Sequence, residues 1–244
     1  MRNYLLTIIA VSAIFFGCKK EKVVKSTNIS NAQAAAMVAT ALSVNANGFA
    51  SIKNDITLYA KNVTNAGKGC GVVDSFAVAR QESITSTINY NYALGYYYVV
   101  NCNNNIQDNL TSSIIYNGSF DAANLTTINS VNSNISLASL SGSGTNYSLN
   151  GNYQTTGTFQ TLDATQLAGN NSISMDIKDL LVTKSSRSII SGSANISVAG
   201  TVKINKNTFV YNGTLVFKDA TTATLTLEGI NYTINLTTAD VAAL

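Results

Sequence analysis

The sequence predicts a mainly β protein: a strongly curved antiparallel meander or half-open barrel, with one or two N-terminal helices against its concave face or mouth. Three observations carry that expectation. After Gly71 the apolar residues recur with period two, the signature of strands that bury one face. That parity runs straight through three Asn-Gly pairs, so the glycines sit inside long strands that must bend. Ahead of the strands, residues 28–62 space their apolar side chains by three and four, as helices do.

The chain starts with Arg2, an apolar run from Tyr4 to Phe16, then Gly17 and Cys18. Charged start, apolar segment, small residue and cysteine together read as a lipoprotein signal peptide, residues 1–17, with Cys18 the acylated residue after cleavage. A membrane span needs roughly 20 apolar residues, and this run is cut short by Lys19, Lys20, Glu21 and Lys22. Residues 18–27 then form a lipidated, charged tether. More than one acyl chain, at roughly 0.8 kcal/mol per buried methylene, holds such a protein firmly.

From Asn28, the residues Ala34, Met37, Ala41 and Val44 mark a first helix, with Ser30 placed to cap it. Asn45 to Gly48 ends it. Ile52, Ile56 and Tyr59 mark a second short helix around Ser51 to Lys61, and Val63 to Gly71 reads as loop. The β domain, residues 63–244, packs with the helical segment as one unit. Ile84, Ser86, Ile88, Tyr90, Tyr92 and Leu94 share one parity. The longest run is Ile190, Gly192, Ala194, Ile196, Val198, Gly200, Val202 and Ile204. At about 3.3 Å per residue it approaches 50 Å, too long for a flat ribbon to bury.

Asn-Gly is normally a strong hairpin signal. Here Ile114, Tyr116, Gly118 and Phe120 keep one parity across Asn117-Gly118, and the same holds at Asn150-Gly151 and Asn212-Gly213. Turns are expected instead at Leu94-Gly95, Asp121 to Asn124, Asp219 to Thr222 and Glu228 to Asn231. The count comes to about eight to ten strands.

Composition narrows the chemistry. The chain of 244 residues has 15 basic and 12 acidic residues and no His, Trp or Pro. Arg2, Lys19, Lys20, Lys22 and Lys25 lie in the signal and tether, so the folded body is close to neutral. No Lys or Arg falls between Arg80 and Lys178, which argues against a nucleic-acid partner. Without His, Ser-His-Asp and Cys-His catalysis are impossible and the commonest zinc ligand is missing. With Cys18 acylated, Cys70 and Cys102 remain, and a disulfide between them is expected.

No nucleotide or nucleophile motif is present. Ala66-Gly67-Lys68-Gly69 is a fragment of a phosphate loop without the Ser or Thr that should follow the lysine. Asp74, Glu82, Asp108, Asp121, Asp163, Asp176 and Asp179 are scattered among turns and strand edges, where solvated acids belong. Asn101 to Asn109 reads as an Asn-rich turn beside the disulfide and lacks the spaced carboxylates of a calcium loop. No catalytic residue, metal ligand or cofactor is therefore expected. Tyr90, Tyr92, Tyr96 and Tyr98 are the candidate ligand-binding residues, as a stacking platform or pocket wall. The plainer reading is that tyrosine suits strands and keeps a polar tip.

The lysines after Cys18, the pair Cys70-Gly71 and the run Ala-Thr-Leu-x-Leu-x-Gly-x-x-Tyr-x-Ile-x-Leu from Ala223 to Leu236 resemble lipoproteins of Bacteroidetes-type envelopes. That group combines a lipidated cysteine with an all-β domain of unassigned activity. The resemblance implies an outer-membrane lipoprotein on the periplasmic or cell-surface leaflet but carries no activity over; the first reading of the chain is a non-enzymatic binding or structural role. Its partners would be the membrane, through the anchor, and an apolar small molecule or an envelope protein. The architecture is also similar to periplasmic carriers whose unclosed barrel shelters acyl chains, so a carrier for a lipid or other apolar ligand is the first alternative. A surface carbohydrate-binding or hydrolase module is the second. A membrane-spanning barrel is disfavoured, since its strands need only about ten residues.

Overall fold

The structure, a computed structural model, describes residues 28–67, 69–85, 88–122 and 124–244, with side chains outside 82–88. The signal segment, Cys18 and the tether to Thr27 lie outside the described residues, as does Lys68 of the phosphate-loop fragment.

Two helices precede eleven strands: α1 (Asn31–Leu42), α2 (Phe49–Asn65), β1 (Val73–Thr85), β2 (Ile88–Asn103), β3 (Ile106–Asp121), β4 (Leu125–Ala138), β5 (Asn146–Thr161), β6 (Ala168–Thr183), β7 (Ile189–Val202), β8 (Thr208–Phe217), β9 (Thr222–Leu227), β10 (Ile230–Asn235) and β11 (Val241–Ala243). All strands join one antiparallel sheet in sequence order, a meander that does not close. Turns therefore alternate between its two ends. The β3–β4, β5–β6 and β7–β8 turns share one end, and the β2–β3, β4–β5, β6–β7 and β8–β9 turns share the other.

Ser30 caps α1 as its sequence position suggests. Gln33 N donates to Ser30 Oγ while Ser30 N donates to Gln33 Oε1, a reciprocal box worth about 1 kcal/mol. Ala34, Ala35, Met37, Val38, Ala39, Ala41 and Leu42 are all buried, so α1 lies inside the curve of the sheet and not on its surface. It ends at Leu42, two residues before Val44, where the Val44 and Asn45 amides turn to the Leu236 and Thr237 carbonyls. Gly48 permits the tight corner that follows, because a Cβ there would meet the Ala41 carbonyl oxygen at 2.5 Å.

The second helix is longer than its apolar spacing implied. It begins at Phe49 and runs through Val63, which was expected in the loop, because Ile52, Ile56, Ala60 and Val63 form one continuous buried stripe. This stripe covers the concave face at the β6–β7 turn end. Phe49 sets its ring against Tyr153 and Phe217, and Lys53 reaches the Arg187 carbonyl. Helices and inner sheet face form one continuous core.

The sheet follows the predicted grammar with three corrections. Leu94-Gly95 is not a turn but the middle of β2, with Gly95 opposite Ala77 and Ile115; the chain reverses between Thr85 and Ile88 instead. Tyr92, Leu94, Tyr96, Tyr98 and Val100 keep one buried parity across it, as at the Asn-Gly pairs. The series from Ile84 to Leu94 is thus two strands. The ends of the long β7 run also differ. Ile190 and Ile204 are exposed, and Ile189 is buried in place of Ile190. A bulge in β6 between Lys178 and Leu181, with Asp179 at φ 48°, switches the inward parity there, and β7 stops at Val202. Finally, the strands number eleven, not eight to ten, because the C-terminal stretch folds into three short ones. The turns at Asp121 to Asn124, Asp219 to Thr222 and Glu228 to Asn231 form as expected.

The curvature has a visible cause. Strand register sets Gly118, Asn129, Gly157, Asn171 and Gly200 in one row across β3 to β7, all on the inner parity. At Gly157 a Cβ would stand 2.0 Å from the Ile128 carbonyl oxygen. Neighbouring backbone thus approaches closer than any side chain allows, and the sheet folds sharply along the row.

Candidate functional site

The four candidate tyrosines share the inner face of β2, placed there by period-two alternation. Tyr92, Tyr96 and Tyr98 are buried, the last two against α2, while Tyr90 is half-buried at the strand's start with its ring tilted 32° to that of Tyr92. Tyr97, one residue out of phase, lies exposed on the opposite face. The ring faces are taken by protein. Tyr59 of α2 stacks on Tyr98 at 4.1 Å and 7°, and Phe76 of β1 stacks on Tyr96 at 5.0 Å. A second group joins Tyr92, Tyr116 and Tyr153, whose last two hydroxyls share a buried hydrogen bond of 2.8 Å.

Polar tips around the first stack are tied to carboxylates. Tyr96 donates to Asp55 Oδ2 at 2.5 Å, and Tyr59 donates to Asp74. Arg80 pairs with Asp55 at 2.8 Å and also donates to Asn47 and Ser51, fastening β1 to α2. Burial pushes the Tyr59, Tyr92, Tyr96 and Tyr98 hydroxyls well above the ordinary phenol range, and the neighbouring carboxylates add to this for Tyr59 and Tyr96. These hydroxyls stay neutral and act as donors. Tyr98 alone of this stack buries its hydroxyl with no hydrogen-bond partner.

The scattered acids have structural work to do. Asp163 accepts from Gln33, Thr161 and Thr165 in the β5–β6 turn; burial alone would raise its pKa, but these bonds outweigh it and hold it at about 2. Asp176 pairs with Lys178 in solvent, and Asp108 accepts from Asn109. The Glu82 side chain lies outside the described residues. Among the described residues no three His, Cys, Asp or Glu side chains converge as a metal site.

The expected disulfide is present: Cys70 and Cys102 are bonded, 32 residues apart, pinning the start of β1 to the end of β2. Beside it, Asn104 and Asn105 take φ of 49° and 60°, the left-handed pair of a tight hairpin.

Three features had no reading in the sequence. Lys53 is buried without a carboxylate; its ammonium donates to Asn54 and to the Arg187 carbonyl, and burial with the nearby Arg187 charge lowers its pKa to about 8. The others are surface grooves. One, of about 450 Å³, crosses the outer face of β4 to β7 beside Lys203 and Lys206. The second, of about 540 Å³, lies on the rim between α1, β10 and β11, with Asp163 and Asp240 at its lip. Neither lies between α2 and the tyrosines. Each groove draws its lining from several separate elements, so no local motif marks them.

No protein-family model matches the chain, and no curated protein or solved structure does so significantly. Among the described residues, no helix is long and apolar enough to cross a membrane.

Proposed function

We propose that this protein is a cell-envelope lipoprotein of the outer membrane, anchored through acylated Cys18, whose β domain serves a non-enzymatic binding or structural role. The observation that carries this reading is the order Arg2, apolar Tyr4–Phe16, Gly17, Cys18 and a lysine-rich tether. The packing of the domain supports its second half. An acyl-chain carrier needs an apolar hollow of several hundred Å³, whereas here Met37, Leu42, Phe49, Ile52 and Ile56 fill the concave face at no more than 1% exposure. A stacking site for sugars needs a free ring face, and those of Tyr96 and Tyr98 are occupied. Partners therefore meet the outside of the sheet.

Metabolic labelling with radioactive palmitate tests the anchor. Label should enter the wild-type protein and disappear with Cys18→Ser, which should also leave the membrane fraction. Equal labelling of both forms would remove the anchor from the account. Native mass spectrometry of the delipidated domain tests the rest: a stoichiometric apolar ligand bound to it would restore the carrier.

A further inference from the structure

We propose that the sheet end carrying the β5–β6 and β7–β8 turns docks on the membrane, with Lys203 and Lys206 holding anionic lipid headgroups and Ile204 entering the interface. This rests on the lipid anchor proposed above, and it adds an orientation and a lipid class to it.

The path of the chain is the first support. The tether joins the domain at Asn28, and that residue is fastened to the β7–β8 turn: Asn207 donates to Asn28 Oδ1 at 2.6 Å, and Tyr211 donates to the Ile29 carbonyl at 2.5 Å. Residues 18–27 reach about 35 Å at full extension. The strands of β5 and β6 have 16 residues each. They span roughly 50 Å along their length, or about 40 Å along an axis tilted as in barrels. The tether is too short to bring the opposite end to the membrane, although Lys61, Lys184 and Arg187 are there. Length decides the orientation against charge alone.

The chemistry of the near end is the second support. Ile204 is 79% exposed at the tip of the β7–β8 turn, and Leu162 on the neighbouring β5–β6 turn is also exposed. Isolated exposed apolar residues need no explanation, but this one is flanked by cations. Lys203 and Lys206 form no ion pair among the described residues, and both line the 450 Å³ groove with Ile128, Thr158, Gln160 and Asn170. Ammonium groups around an apolar tip, with hydroxyl and amide donors behind, match a phosphate headgroup above its acyl chains.

The test uses the full lipidated chain in vesicles of phosphatidylcholine with phosphatidylglycerol. A thiol-reactive fluorophore is placed through Ile204→Cys or, at the opposite end, through Ile106→Cys, and lipids spin-labelled near the headgroup serve as quenchers. The probe at position 204 should be quenched at least threefold more than that at 106. Adding Lys203→Glu and Lys206→Glu should remove most of that difference. Equal quenching at 204 and 106 overturns the docking surface, and an unchanged ratio in the double lysine variant overturns the headgroup contact. Failure of the anchor reads differently: wild type would then not float with purely neutral vesicles, and the orientation falls with it. Protein that floats but shows equal quenching leaves the anchor standing and overturns this proposal alone.

Discussion

Gly157→Ala is the sharpest probe of why this sheet curves. The added methyl carbon would lie 2.0 Å from the Ile128 carbonyl oxygen, 2.6 Å from Asn129 Oδ1 and 2.9 Å from the Asn129 Cα. Two of those three atoms are backbone, so no rotamer change relieves the clash, and β4 and β5 must part along the bend. Overpacking of a tight interior costs typically 1–3 kcal/mol, and a backbone clash belongs at the upper end, about 3 kcal/mol. For a domain of this size that is a fall in Tm of roughly 6–12 °C. Gly95→Ala is the matched control, since its nearest neighbour would be 3.7 Å away. Relief of glycine's chain entropy should there raise stability by about 0.5–1 kcal/mol. Urea unfolding followed by circular dichroism measures both. A Gly157→Ala midpoint equal to wild type would refute the claim that backbone approach along this row sets the curvature.

Four further expectations follow from the folded domain. Lys53 has a folded pKa of about 8 against 10.5 unfolded, so the unfolded chain binds the extra proton between those values and stability rises with pH there. Lys53→Met should flatten that rise and add about 2 kcal/mol at pH 7, read from unfolding at pH 7 and 9.5; a variant less stable than wild type at pH 7 contradicts it. The buried tyrosines act with the opposite sign, costing stability above about pH 10, where only the unfolded chain ionises freely. Reducing the Cys70–Cys102 bridge, with its separation of 32 residues, should cost about 4 kcal/mol in the chain-entropy model, seen as a lower urea midpoint in dithiothreitol. Tyr116→Phe strands the buried Tyr153 hydroxyl and should cost about 1–3 kcal/mol, whereas Tyr98→Phe removes a hydroxyl that has no partner and should cost nothing. Equal effects of the two would deny the distinction.

The sequence made the curved meander legible because side-chain parity survives the glycine bends: Tyr116, Gly118 and Phe120 show it across one Asn-Gly pair. The same logic was open at Leu94-Gly95, where Tyr92, Tyr96 and Tyr98 carry the parity through, but a glycine after a leucine suggested a turn. The β6 bulge was hidden, since parity along β7 alone cannot reveal an extra residue in its neighbour. Burial of Tyr96 and Tyr98 against α2 was equally hidden: period two separates the faces of a strand but does not say what covers them. Asp55 is 25 residues from Arg80 and Lys53 is 134 from its acceptor on Arg187, so only the packing of α2 against β1 and the β6–β7 turn gives them partners. The Asn28–Asn207 contact that orients the tether spans nearly the whole sequence.

The central claim is that a well-packed β domain hangs from a lipid on Cys18. Intact mass measurement of the protein extracted from its native membrane tests it most directly. The account predicts a polypeptide beginning at Cys18, carrying the added mass of its acyl groups, with two fewer hydrogens for the Cys70–Cys102 bridge. A chain beginning at any other residue, or one beginning at Cys18 without acyl mass, would contradict it.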